Sequence, residues 1–396
     1  MLYLTSLAMS FGQGMVVPTI PVFEAEFGVS VGAAAQIITA HALGRFFGPV
    51  PGGILVDRLG ARLSIVASPA IVAAAVLSIA VAPSFAVVLA AMFAAGAAEA
   101  VWMIGREIAG VDLVRPEQRG RLMSGFMGFT STGQAVGPAL GGILVMTSGL
   151  QSVYYVYGGL ALGVLVISLA GGVGKSTGEA VRARAATRTS MRFSPAAIVD
   201  LVKQIEPGLR RSYLVFVFAT FAMMLYRMVL QAMLPLYAGS YLGFSPSQVG
   251  LLFFISGIFV FIMIIPAGFI TDKLGRKWAT VPSTALPAVS FILFPFADTF
   301  TQLALLSALL GIANGLSLGS IATSTYDVVP AASRGRLQAL RRTVSEVGGV
   351  SGPLAGGLIA NASHPGIPFL VFAPVLLMAA ALLAFGAKET LVKRGR

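Results

Sequence analysis

Long apolar runs separated by short polar turns dominate this chain. A helix that crosses a bilayer needs roughly 20 apolar residues. Twelve segments qualify, at about 2–22, 33–56, 64–82, 86–111, 121–147, 152–172, 212–239, 247–271, 278–297, 301–327, 337–362 and 366–387. The pattern predicts an all-α membrane protein with twelve transmembrane helices. Segment 1 carries no basic leader region and no small-residue cleavage site, so it reads as the first helix and not as a removable signal.

The polar positions then orient the segments. Loops that follow even-numbered segments hold Arg58 and Arg62, then Arg115, Arg119 and Arg121, later Lys273, Arg276 and Lys277, and then Arg334 and Arg336. The C-terminal tail adds Lys388, Lys393, Arg394 and Arg396. Loops that follow odd-numbered segments hold no Lys or Arg, and their only charges are Glu24, Glu26 and Asp298. Basic residues concentrate on the cytoplasmic side of membrane proteins. Both termini and the long middle interval are therefore expected in the cytoplasm, and a bacterial inner membrane is the expected location.

Composition agrees. Of 396 residues, 57% are hydrophobic and 11% charged, against about a quarter charged in soluble proteins. A soluble enzyme is excluded. The balance of 27 basic to 15 acidic residues would suggest nucleic acid in a soluble chain, but here it dissolves into topology. With no Cys and two His, disulfide scaffolds and Cys/His zinc sites are excluded. No cofactor and no metal are expected. The interval 173–211 holds eight basic and three acidic residues and reads as a tethered cytoplasmic linker. Its stretch from Ser194 to Leu209 also has the pattern of a surface helix lying on anionic lipid.

The chain repeats itself at an offset of 215 residues. Pro51 and Gly53 fall on Pro266 and Gly268, and Asp57, Leu59 and Gly60 on Asp272, Leu274 and Gly275. Arg119-Gly120-Arg121-Leu122 falls on Arg334-Gly335-Arg336-Leu337. Gly133, Gly137, Pro138, Gly141 and Gly142 fall on Gly348, Gly352, Pro353, Gly356 and Gly357. Six helices repeating in the same orientation predict two pseudo-symmetric six-helix bundles with a cavity near the midplane. The domains expected are 1–172, a linker 173–211, and 212–396.

These residues carry a resemblance. Gly53-Ile-Leu-Val-Asp57-Arg58-Leu-Gly60-Ala-Arg62 resembles the loop signature of the major facilitator superfamily, and Gly268 to Lys277 is a closer second copy. Pro18-Thr-Ile-Pro21 in segment 1 and Gly133-xxx-Gly137-Pro138-xx-Gly141-Gly142 in segment 5 resemble motifs of its twelve-helix drug:proton antiporters. The resemblance implies a proton-coupled secondary transporter that exports amphipathic small molecules by alternating access, as a monomer in the bilayer. Its partners would be a small-molecule substrate and protons, with no nucleic acid. The same fold carrying an organic anion, a sugar or metabolite, or a lipid is the alternative. A receptor or enzyme is remote, because no nucleophile–base set or metal cluster supports it. One departure stands out: the Arg that such exporters carry early in helix 4 is Met92 here.

Charges within the apolar segments mark the candidate chemistry, since each is costly in lipid. They are His41 and Arg45 in segment 2, Glu99, Arg106 and Glu107 in segment 4, Arg227 in segment 7, and Arg341, Arg342 and Glu346 in segment 11. The repeat does not copy them: Glu99 maps to Asn314, Arg106 to Ile321, Glu107 to Ala322 and Arg45 to Val260. At 1.5 Å per residue, Arg45 and Glu346 lie about 15–17 Å from the cytoplasmic ends, and Glu99 and Arg227 about 20–22 Å. Glu99 is the first candidate for proton coupling, with Glu107 and Glu346 behind it. Arg227 reads either as its partner or as an anion-binding group. Glu346 can pair with Arg45 across the two bundles or with Arg342 one turn away on its own helix. Phe11, Gln13, Trp102, Met103, Met223, Met224, Tyr226 and Gln231 are candidate cavity positions. Asp57, Arg58, Arg62 and Asp112, with Asp272, Arg276 and Asp327 in the second half, are the gating set that the resemblance implies.

Overall fold

The computed structural model describes residues 1–52, 61–115, 118–170, 195–317, 320–330 and 333–389. Among them all regular structure is helical. Helix α1 covers Leu2–Phe27, α2 Val31–Phe47, α3 Ala61–Ala80, α4 Phe85–Leu113, α5 Arg119–Ser148 and α6 Leu150–Ala170. A short helix, Pro195–Lys203, precedes α7 at Pro207–Tyr241. Then come α8 at Pro246–Leu274, α9 at Arg276–Phe296, α10 in two pieces (Phe300–Ser317 and Ser320–Val328), α11 at Arg334–Ala362 and α12 at Ile367–Gly386.

Each of the twelve lies where an apolar segment was expected. Nine helices among the described residues are long and apolar enough to cross a membrane by themselves. The other three are α2, whose helix is 17 residues long, and the glycine-rich α5 and α11. Helix α11 also carries Arg341, Arg342 and Glu346. The Pro195–Lys203 helix falls inside the stretch expected to form a surface helix, and α7 starts at Pro207, inside the predicted linker.

Local chemistry explains the boundaries. Ser30 caps α2, its Oγ accepting from the Ala33 amide at 3.2 Å. Pro18 opens a 3-10 turn at Val17–Thr19 that breaks α1, and the Thr19 hydroxyl meets the Tyr154 hydroxyl at 2.9 Å. Gly275 turns the chain from α8 into α9 at φ 141°, a conformation that an L side chain rarely adopts.

By packing, the chain forms two compact units. One takes Met1–Thr189 with Gln231–Phe254, and the other takes Ser190–Leu230 with Ile255–Arg396. The boundary cuts α7 and α8 in mid-helix. In the first unit α1 packs on α5 and α6, α2 on α4, and α3 on α4 and α6. In the second, α9 packs on α10 and α12, the same pairing that α3 makes with α4 and α6.

The repeat holds at the level of individual contacts. Gly96 of α4 lies so close to α2 that a Cβ there would collide with the His41 carbonyl oxygen, and Gly311 of α10 meets the Ser256 carbonyl in the same way. Both residues of that second contact lie 215 positions after the first. The glycine motif of α5 forms a seam with α1. Cβ atoms at Gly133, Gly137 and Gly141 would strike backbone atoms of Leu7, Phe11 and Met15 in turn. Gly142 packs in the same manner on Pro246 of α8, while Gly250 of α8 returns onto Pro138. Small residues at this spacing let helix backbones touch, which is how helices gain contact in lipid.

Candidate functional site

Helices α2 and α4 cross at glycine. A Cβ at Gly44 would strike the Phe93 carbonyl, one at Gly96 the His41 carbonyl. That close crossing brings His41 and Glu99 face to face, with His41 Nε2 3.0 Å from Glu99 Oε2. The other carboxylate oxygen, Oε1, accepts a hydrogen bond from the Tyr157 hydroxyl of α6. Both oxygens are engaged, and the side chains are 9% and 14% exposed for His41 and Glu99. Arg45, one turn beyond His41, lies near enough for its charge to act on Glu99.

Tyr157 reaches Glu99 only because α1 has no side chain at Gly12. The Tyr157 ring occupies the place that a Cβ on Gly12 would take. Glycine at position 12 is thus part of the site.

The His41–Glu99–Tyr157 cluster forms one wall of a pocket within the first unit. Gln13, Val17, Ile38, Met92, Gln134, Pro138, Gln231 and Phe253 also line it. Its free space, open mouth included, is about 570 Å³. The lining is apolar surface with three amides, a carboxylate, an imidazole and a phenol, a composition suited to an amphipathic ligand with a few polar groups. Chemically, a carboxylate bonded to a neutral imidazole can take up one proton and end with no net charge. A site that binds a proton at neutrality avoids the cost of a lone charge in a low-dielectric medium.

Of the expected cavity residues, Glu99, Gln13 and Gln231 line this pocket. Met92, where exporters of the resembled family carry Arg, lines it too. His41 is a membrane charge in the sequence, but nothing there marks it as the partner of Glu99, for which Arg227 was one of two readings. Tyr157 and Gln134 were missed. Tyr157 had no visible signal, since tyrosine at a helix position more often packs than bonds. Trp102 lies under the Arg106 guanidinium, 4.8 Å from ring centre to Cζ.

Arg106 is fully buried. Its Nη1 donates to the Ser6 hydroxyl at 2.7 Å, the Phe126 ring lies 4.4 Å away, and its Nε has no hydrogen-bond partner among the described residues. Its neighbour Glu107 is half-buried. Arg341 donates to Gln338 and Thr220 at 2.9 and 3.0 Å. Arg45 and Glu346 are half-buried and each has partners. In the second unit, Arg227 donates to Asn314 Oδ1 at 2.9 Å and Ser317 Oγ at 2.8 Å, and the Tyr226 hydroxyl donates to the same Asn314 oxygen at 2.6 Å.

The second copy of the gating set is assembled. Arg276 Nη1 donates to Asp272 Oδ1 at 3.1 Å, and its Nε donates to Asp327 Oδ2 at 3.3 Å. Asp57 and Arg58 of the first copy lie outside the described residues, as does the side chain of Asp112. Arg62 is exposed at the start of α3. One member was not foreseen. The Glu389 carboxylate, just past α12, accepts from the backbone amides of Arg276 and Lys277 at 2.9 and 3.1 Å. It caps the positive end of α9, where an anion is favoured. Replacing Glu389 by Ala is expected to cost about 1 kcal/mol, the usual size of a lost helix cap. Hydrogen exchange should then speed up at the amides of 276 and 277 and leave α3 unchanged.

A duplicated, membrane-crossing helical chain with a buried carboxylate beside a pocket defines a class, the secondary transporters. The chain belongs to the Major Facilitator Superfamily, whose family model matches residues 2–205 and 216–396. Over 366 residues it is 22% identical to the quinolone resistance protein NorA of Staphylococcus aureus, covering 90% of this chain and 88% of that one. An uncharacterized MFS-type transporter of Mycobacterium tuberculosis is 33% identical over 104 residues, which span 25% of this chain and 15% of that protein. Among solved structures, the xylose transporter XylE from E. coli matches with a TM-score of 0.75 at 16% identity, over 99% of this chain and 96% of that one. A peptide transporter matches with a TM-score of 0.76 at 14% identity, over 98% and 95% of the two chains. These likenesses establish the major facilitator fold. The protein is a multi-pass membrane transporter, and its family implies a small-molecule substrate.

Proposed function

We propose that this protein is a proton-coupled exporter of amphipathic small molecules, a monomer in a bacterial inner membrane with both termini in the cytoplasm. The observation that carries the reading is Glu99, bonded on both oxygens by His41 and Tyr157 at the wall of an apolar, amide-lined pocket. The Glu99–His41 pair holds the coupling proton. Cargo binds against Gln13, Gln231 and the apolar wall. Export, and not import, is supported by the glycine–proline motif of α5 and by the full-length likeness to a resistance protein. The halves 1–172 and 212–396 are the repeating bodies of the alternating-access cycle, with Asp272, Arg276 and Asp327, and Asp57, Arg58, Arg62 and Asp112 in the first half, as the cytoplasmic latch. Glu107 on α4 and Glu346 on α11 are the further proton candidates.

The test is transport in proteoliposomes with an imposed pH gradient. A fluorescent amphipathic dye is expected to move against the proton flow and to stop when a protonophore collapses the gradient. Dye movement that is indifferent to the gradient would reject proton coupling.

A further inference from the structure

Arg227 sits in a membrane-spanning helix, and among the described residues it makes no ion pair. It is half-buried, and its hydrogen bonds go to an amide oxygen and a hydroxyl. Neutral acceptors orient a guanidinium without cancelling its charge. Two of the five N–H groups of an arginine are spent in this way, so three remain without a partner among the described residues.

The repeat shows what the chain could have placed there instead. Asn314 occupies the position that corresponds to Glu99, 215 residues earlier. A carboxylate at 314 would lie against Arg227 Nε, at the 2.9 Å where the amide oxygen now stands, and would close an ion pair within the protein. The chain carries the uncharged isostere of aspartate there. Tyr226 adds a second donor to the same oxygen, which holds the amide in the one orientation that accepts from Arg227. In the first half the arrangement is reversed. Position 12, the counterpart of Arg227, is Gly12, and Tyr157 fills its space to bond a true carboxylate. One half holds an anion with its own partners, and the other holds a cation whose hydrogen bonds, among the described residues, go to neutral acceptors.

We propose that Arg227, oriented by Asn314 and Ser317, binds a carboxylate on the transported molecule, so that the cargo is an amphipath with an anionic group. The fork of a guanidinium matches a carboxylate in shape as well as charge. The inference rests on the reading of the chain as a small-molecule transporter but not on proton coupling. It is tested by equilibrium binding without any gradient, so the two readings fail separately.

The probe is dansylglycine, an aromatic amphipath with a carboxylate, compared with its uncharged amide. Fluorescence titration uses the full-length protein in nanodiscs of phosphatidylcholine. The wild type is expected to bind dansylglycine at least about tenfold tighter than the amide, the order that a charge-assisted pair contributes. Arg227→Gln should abolish that preference, and Arg227→Lys should keep part of it. Asn314→Asp supplies the missing internal partner, so it should also abolish the preference while the melting temperature stays the same or rises. That second variant separates loss of the site from loss of the fold. No binding, equal affinity for the two probes, or a preference that survives either Arg227→Gln or Asn314→Asp would overturn the assignment. So would a preference lost when phosphatidylglycerol is added to the disc, because the anion read by Arg227 would then be a lipid phosphate.

Discussion

Glu99→Gln is expected to abolish gradient-driven transport and to leave the fold intact. Glutamine has the shape of glutamate and keeps an oxygen for the Tyr157 hydroxyl, while its amide faces His41. Packing around α4 is therefore unchanged. What disappears is the capacity to take up and release a proton at this position, since an amide does not titrate in the biological range. Groups that move a proton in a rate-determining step contribute about 10²–10⁴-fold, and a fall of at least about 100-fold is expected in dye movement driven by a pH gradient. Exchange of cargo for cargo, which moves no net proton, should persist in the same vesicles. Transport by this variant with the pH dependence of the wild type would remove Glu99 from the coupling step and leave Glu107 and Glu346 to be tested in turn.

Gly12→Ala should cause a smaller loss from the opposite side of the site. The added methyl group falls within the Tyr157 ring, at 2.5 Å from Cε2 and 2.8 Å from Cγ. Tyr157 is 2% exposed and packed in the first unit's core, so it has little room to move aside. Overpacking of this kind costs about 1–3 kcal/mol, and the hydroxyl leaves Glu99 as the ring shifts. Gradient-driven transport should fall by at least about tenfold, following the loss of a hydrogen bond to a charged group that contributes about 1.5–3 kcal/mol. Tyr157→Phe separates the two parts of the effect. It loses the hydrogen bond without the collision, and should lower transport while the melting temperature stays near that of the wild type. Gly12→Ala should lower both. Wild-type melting and transport in Gly12→Ala would show that the ring does not hold the position described.

The glycines at 12, 44 and 96 show where reading a sequence stops. Each is visible in the chain as a glycine in an apolar segment, and the repeat flags Gly96 through its copy at 311. Neither fact says which backbone lies above it. His41 and Glu99 are 58 residues apart, and so are Glu99 and Tyr157. Their meeting depends on how three helices cross, and crossing angles follow from the packing of many side chains at once. For the same reason the histidine that faces Glu99 was not foreseen, Arg227 having been read as its partner or as an anion-binding group. Glu389 was invisible because a carboxylate just past the last helix looks like part of a charged tail, and only the return of α12 beside α9 makes it a cap.

The amino-acid sequence by itself determined the number and order of the helices, the side of the membrane expected for each loop, the internal duplication and the family. These depend on local quantities: the free energy of placing about 20 consecutive side chains in lipid, the bias of basic residues, and the spacing of glycines along one helix. Tertiary structure alone decided the partners of the buried charges, the pocket that Glu99 shares with Gln13 and Gln231, and the joining of residues 231–254 to the first six helices. Those depend on contacts between residues distant in the chain, and a hydrogen bond near 3 Å is sensitive to shifts that a hydropathy pattern does not register.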